Sequence, residues 1–138
     1  NGAPQVDATV AAVVTDKDSK IVLCRIDAVQ NKATVTDGVY TITNVKTKME
    51  QGDDYGMTSA VTWGDVNGDG KVLEWYDQAK AFEAHVIGMT GAEVAAMTTE
   101  TNKIGYQSST DADLLAAGCT IQITDIKAVV AESVTNAR

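Results

Sequence analysis

The sequence predicts an α+β domain, an antiparallel sheet with helices packed on one side. Three observations predict it. The N-terminal third is made of β-branched runs separated by turn residues, and the best amphipathic segment of the chain follows at residues 72–87. The element order is four strands, then two or three helices, then one strand and a closing helix. Strands followed by helices sort into a sheet with the helices segregated to one face. A length of 138 residues suits one domain, and with a single proline and no low-complexity tract nothing splits residues 1–138 into two.

The first predicted strand is residues 6–15 (VDATVAAVVT), followed by an Asp16-Lys17-Asp18-Ser19 turn. Asp and Ser favour turns because their side chains bond the local backbone. Residues 21–29 (IVLCRIDAV) form the second strand, although Ile21, Leu23, Arg25 and Ala28 do not alternate cleanly. Residues 33–36 and 39–45 form a third and fourth strand around Asp37-Gly38. Asp-Gly between β-branched runs is a hairpin signal, because glycine accepts φ > 0. Residues 47–56 are polar and read as a loop, and residues 57–63 have no clear period.

From Val72 onward Val72, Trp75, Tyr76, Ala79, Phe82, Val86 and Ile87 fall on one helical face, with Glu74, Asp77, Gln78, Lys80 and Glu83 on the other. Both tryptophans and the only Phe lie in or beside this segment, in a chain with two Trp, four Tyr and one Phe. Aromatic rings bury large areas, so this helix is expected to supply much of the core. Thr90-Gly91-Ala92-Glu93 fits a capping box opening a short helix at about residues 91–97. Residues 98–109 read as loop, and residues 110–113 as a second cap leading into Leu114 and ending at Gly118. Residues 119–124 (CTIQIT) alternate and read as a strand. Asp125 then caps a last helix buried through Ile126, Val129, Val130 and Val134.

The net charge is −8 and no basic cluster occurs, which argues against nucleic acid and against anionic lipid surfaces. No apolar run has the length that crosses a bilayer. The chain opens NGAPQV, without Met or signal sequence, as expected for a trimmed or processed secreted chain whose anchor would lie upstream. Cys24 and Cys119 belong to no CxxC pair, which disfavours a zinc cage. They read as two buried side chains on separate strands, with one long-range disulfide as the alternative. His85 is the only histidine and reads as a partly exposed helical residue. No GxSxG elbow occurs, and Glu50, Asp53 and Asp54 read as a solvated acidic loop.

Asp65, Asn67, Asp69 and Gly70 match the opening D-x-N-x-D-G of an EF-hand-type calcium loop, as dockerin repeats also carry it. Alternate side chains bring oxygen ligands to one point, glycine permits the bend, and the next residue, Lys71, offers its carbonyl. The closing acid falls on Tyr76 instead, with Asp77 one beyond and Glu74 two before. A cation there would need distant carboxylates such as Asp53 or Asp54. The other reading is a plain turn that starts the helix.

Gly52-Asp53-Asp54-Tyr55-Gly56-Met57, then Glu74-Trp75-Tyr76-Asp77-Gln78-Ala79 with Phe82-Glu83, and then Val86-Ile87-Gly88-Met89-Thr90 with Glu93-Val94, resemble a GDDYGM…EWYEQA signature. It is found in secreted lipoproteins of anaerobic Gram-positive bacteria, and the N-terminal run VDATVAAVVTDKDSKIVLCRIDAVQ is similar to theirs as well. Some of that group resemble the FMN-binding domain and are implicated in flavin-based extracellular electron transfer. The DVNGDG segment looks like an addition to the pattern.

The resemblance implies an FMN-binding-domain-like fold, a cell-surface lipoprotein, and a flavin transferase or redox partner. In that domain the threonine of a D..SGAT.T turn takes FMN through a phosphoester bond. Here Thr120 falls on the linking threonine and Gly118 on the glycine. Ala117 replaces the serine, Cys119 the alanine and Gln122 the later threonine, and Asp113 is one residue too far away. The implied reading is therefore a flavin carrier or a degenerate copy that has lost the link. Trp75, Tyr76, Tyr55 or Met57 would pack against the isoalloxazine ring. The rival expectation is a calcium-stabilised surface module that binds a protein or glycan.

Overall fold

The computed structural model describes residues 4–42, 45–59 and 65–137. Sequence assignments that fall on residues 43–44 and 60–64, Trp63 among them, lie outside the described residues. The fold is α+β. Strands β1 (Gln5–Thr15), β2 (Ile21–Thr36) and β3 (Val39–Ile42) form an antiparallel sheet in the order β1-β2-β3. Short helix α1 (Lys48–Gln51) and two 3-10 turns (Gly52–Tyr55 and Met57–Ser59) follow, and then the main helix α2 (Trp75–His85). Helix α3 (Gly91–Ala95), a small two-stranded sheet of β4 (Thr99–Thr101) and β5 (Gln107–Ser109), helix α4 (Ala112–Ala116) and helix α5 (Thr124–Asn136) complete the chain.

The strands predicted at 21–29 and 33–36 are one strand. Gln30-Asn31-Lys32 carries no Gly or Pro, and the pairing with β1 runs through it to Gln5↔Lys32. The imperfect alternation of β2 has a cause in the register. Thr15 pairs with Ile21 and Val14 with Leu23, so Val22 is an extra residue in the ladder. A bulge turns a strand by one residue, and Ile21 and Cys24 therefore both reach the core while Val22 and Leu23 face out. The Asp37-Gly38 hairpin forms as predicted, with φ of 52° and 78° at its two turn residues. In the 16–19 turn, Oδ1 of Asp16 accepts the backbone N–H groups of Asp18 and Lys20, both at 2.9 Å.

One cluster of buried side chains joins Ile21, Cys24, Ile26 and Ala28 of β2 to Trp75, Ala79 and Phe82 of α2, with Val94, Leu114, Ile126 and Val130 from the later helices. Trp75, Ala79, Phe82 and Val86 of the predicted face thus lie in the core, whereas Tyr76 stays half-buried at its edge. Val72 and Ile87 flank the helix and remain 37% and 47% exposed. The polar face differs more. Glu74, Gln78 and Glu83 are all buried, at 2%, 0% and 5% exposure. Each satisfies backbone groups of another segment, which is the condition on which a polar group can be buried without a large penalty.

Three other assignments change. Residues 47–56 contain α1, opened by a capping box in which Thr47 Oγ1 accepts Glu50 N–H and Glu50 accepts Thr47 N–H. Residues 98–109 contain β4 and β5, polar strands whose short ladder has no hydrophobic alternation to betray it. Residues 119–123 join no ladder, and the backbone bends at Ile121. The N–H of Thr120 goes to the Gln78 side chain, and the N–H of Ile123 goes to the Gln107 carbonyl at 3.0 Å. Helix α5 starts after Ile123 without a side-chain cap, so Asp125 lies in the first turn rather than at the cap. Its charge still suits the positive helix end. The Thr90–Glu93 capping box and the α4 helix, capped by Asp111, form where predicted.

Candidate functional site

Beyond Ala28 the inner face of β2 leaves the helices and continues outward as a ribbon with β3. A cleft of about 820 Å³ opens beneath it. Gln30 and Lys32 of β2 form one wall, and Lys48, Tyr55 and Met57 of the α1 and 3-10 segment form a second. Trp75 at the start of α2, the stretch from Thr120 to Gln122, and Tyr106 on the β4–β5 connection close it.

The positions of these side chains follow from local hydrogen bonding. The carboxylate of Glu74 accepts the N–H groups of Met57 and Thr58, each at 2.9 Å, and the Thr58 hydroxyl at 2.6 Å. It thereby ties the 3-10 segment to the N-cap of α2. Burial raises the pKa of this carboxyl, but the Thr58 hydroxyl and the Thr58 and Met57 amides outweigh that effect and hold it below the ordinary glutamate value. Tyr55 then reaches across the cleft, and its hydroxyl donates to Gln30 Oε1 at 3.3 Å. The Lys48 ammonium lies 4.9 Å from the Tyr55 ring centre and 5.5 Å from that of Trp75, within cation–π range of both.

Of the six residues proposed for a flavin, the cleft brings together Thr120, Trp75, Tyr55 and Met57. Gly118 is elsewhere. Its φ is +89°, which favours glycine, and a Cβ there would lie 2.5 Å from Leu73 Cδ1, so any other residue would have to displace that side-chain tip. Thr120 is not a solvent-facing residue on a strand. It is 4% exposed, and Gln78 Oε1 accepts its N–H at 2.8 Å and its hydroxyl at 3.1 Å. Its carbonyl accepts the Ser108 hydroxyl at 2.5 Å and the Asn102 amide at 3.3 Å. A phosphoester at Thr120 would have to break the Gln78 contact and open this layer. Tyr76, the third aromatic considered, donates its hydroxyl to Asp53 Oδ1 at 3.0 Å. That hydrogen bond and the neighbouring acids Asp77 and Asp53 raise its pKa.

The 65–71 loop is tightly wrapped on itself. The Asp65 carboxylate accepts the N–H groups of Gly68, Asp69 and Gly70 at 2.8, 3.0 and 2.9 Å. Asp69 accepts the Lys71 N–H at 2.9 Å and, through its other oxygen, the Asn67 side-chain amide at 3.3 Å. The Lys71 ammonium bonds the Ala116 carbonyl at the end of α4. Neither Glu74 nor Tyr76 turns an oxygen toward the loop, since both are engaged as described above. Calcium takes about six to eight oxygens, and among the described residues no group of three or more His, Cys, Asp or Glu side chains is placed to hold a metal.

The remaining sequence candidates are structural. Cys24 and Cys119 are free and buried, and the disulfide alternative does not form. His85 Nε2 lies 3.6 Å from the Asp111 carboxylate, linking the end of α2 to the cap of α4. The residues that shape the cleft and escaped the sequence reading are Lys48 and Gln30. A signal for Lys48 was present, because Thr47-Lys48-Met49-Glu50 is itself a T-x-x-E capping box. Gln30 had none. No family model, curated protein or solved structure matches this chain.

Proposed function

We propose that the domain is a non-enzymatic carrier that holds a flat, anionic aromatic cofactor of the flavin class, without a covalent link, in the cleft beneath the β2–β3 ribbon. The observation that carries this reading is the Lys48 ammonium set against the Tyr55 and Trp75 rings in a cleft of about 820 Å³. Pockets for ligands of this size run to about 300–1,000 Å³, with apolar and aromatic walls and a few placed polar groups. Lys48 offers charge to a phosphate, Tyr55 and Met57 offer surface to a ring system, and Gln30 and Gln122 offer amides to its polar edge. A bound flavin would supply one- and two-electron transfer. FMN-binding-like ancestry, a cell-surface lipoprotein setting, and a redox partner belong to the same reading and rest on the sequence resemblance.

Titration of FMN followed by quenching of its fluorescence tests the proposal. Saturable quenching is expected, with roughly tenfold weaker binding in Lys48→Ala, the cost of about one charge-assisted contact. Absence of quenching sinks the carrier reading. Protein made alongside a flavin transferase is expected to keep its unmodified mass, because the Thr120 hydroxyl is held by Gln78.

A calcium-stabilised surface module is the second reading, supported by the D-x-N-x-D-G loop. Asp65 already holds that loop in shape through three backbone N–H groups, so a plain turn accounts for it as well. A rise in melting temperature in calcium would favour the module.

A further inference from the structure

We propose that the outer face of the β1–β2–β3 sheet is the surface through which two copies of this chain associate. The core residues come from the inner face of the sheet, so strand parity leaves the outer face to Val6, Ala8, Val10, Ala12 and Val14 of β1 and to the odd positions of β2 from Leu23. An antiparallel sheet with one solvated face ordinarily alternates apolar-in with polar-out. This one does not. Val6, Val10 and Val14 are 64%, 59% and 50% exposed.

The strip continues onto the ribbon. Register places Val35 opposite Tyr40 and Ala33 opposite Ile42, on the same side as the β1 valines. Val35, Tyr40 and Ile42 are 45%, 71% and 61% exposed, whereas Thr34, Thr36 and Thr41, with Val39, take the other side. Apolar patches of this extent on a soluble surface mark an interaction site.

Area and charge identify the occupant. The six side chains leave roughly 600 Å² open per copy, so full coverage in two copies would remove about 1,200 Å² from them, the lower end of the range of stable interfaces. The outward positions carry two charged residues of opposite sign, Arg25 and Asp27. They cancel each other and lie at the free edge of β2, the Arg25 side chain 66% exposed. Arg25 lies 3.3 Å from Glu83, and Asp27 accepts the N–H groups of Ala28 at 2.7 Å and Met49 at 3.2 Å. A neutral strip on a chain of net charge −8 offers nothing to a basic partner. A flat row of short β-branched side chains is complementary to itself and fits the face-to-face packing of two sheets about 10 Å apart around a two-fold axis.

The like charge of two copies makes salt favourable. Repulsion between them is screened as ionic strength rises, whereas a charged partner or an anionic bilayer would be released. Light scattering on the whole chain at about 100 µM should give twice the monomer mass, a level at which a micromolar dimer is saturated. At about 1 µM, where monomer and dimer coexist, the dimer fraction should grow with added sodium chloride. Val10→Lys combined with Tyr40→Lys places charge in the strip without touching the core, and should give a monomer with wild-type melting temperature. Hydrogen exchange of the unaltered chain serves if that variant misfolds, with β3 amides expected to slow as concentration rises. A wild-type monomer at that concentration overturns the proposal, as does a double variant that still dimerises. Concentration-independent exchange overturns it too, as does sedimentation of a monomeric chain with phosphatidylcholine vesicles.

Discussion

The side-chain carbonyl of Gln78 accepts both the backbone N–H and the hydroxyl of Thr120, two residues far apart in sequence and both buried. The same amide donates through Nε2 to the Leu73 carbonyl at 3.1 Å. One side chain in the middle of α2 thus satisfies the entry to its own helix and the stretch that follows Gly118. Replacing Gln78 by Met keeps the volume but leaves the Thr120 N–H and Leu73 carbonyl without partners, at a cost of about 2–4 kcal/mol. Thr120→Val removes only the hydroxyl and should cost about 1 kcal/mol. Urea denaturation of the two variants checks the order, and a Thr120→Val loss equal to that of Gln78→Met would refute it.

Glu74 makes the fold acid-sensitive. Its folded pKa lies below the ordinary value of 4.5, so the unfolded chain takes up the proton first as pH falls. The stabilisation is whole above 4.5 and is lost as pH drops through the folded value. Glu74→Gln keeps one oxygen and places an NH₂ against donors, and should cost about 1–3 kcal/mol at neutral pH. Melting curves across the acid range should show a shallower pH slope in this variant than in the wild type.

The two thiols should be silent in the native state. Burial, reinforced by the Glu83 charge, pushes Cys24 up to about 11, and burial pushes Cys119 up to about 12. Because the thiolate is the reactive form, a disulfide-exchange reagent should label neither in the folded chain at mildly alkaline pH and both in urea. The unfolded thiols ionise from 9.0, so stability should be unaffected below that value and fall as pH rises from it toward the folded values. Rapid labelling of the native chain would count against this packing.

Gly118→Ala should cost about 1–3 kcal/mol, from a positive φ and from overpacking against Leu73. Trimming Leu73 to Ala in the same chain should recover part of that loss. Additive losses in the double variant, measured by denaturant unfolding, would show that the Leu73 approach does not matter.

The parts of the fold that were legible share a property: their causes lie within a few residues. Capping boxes at Thr90 and Asp-Gly at residue 37 act through the local backbone, and the spacing of Trp75, Ala79, Phe82 and Val86 is a property of one helix. The Thr47–Glu50 box was equally local and was obscured by the polar run around it. Of the candidate site, the sequence named Trp75, Tyr55, Met57 and Thr120, and the fold brings those four to one cleft. It had no means of naming Gln30, which faces the cleft only because β2 runs on past Val29.

The sequence by itself therefore determined the α+β class, the aromatic helix that fills the core, and the turns that bound its elements. The tertiary structure alone decided that Glu74, Gln78 and Glu83 go inward and that the hydroxyl of Thr120 is occupied. The reason is that a polar side chain is buried where unpaired backbone groups await it. Glu83 accepts the Ile26 N–H at 2.8 Å because β3 pairs with β2 only from Ala33 onward and leaves that edge open. Which amides a sheet leaves unpaired is settled by strand length and register, and neither is written in the helix that supplies the partner.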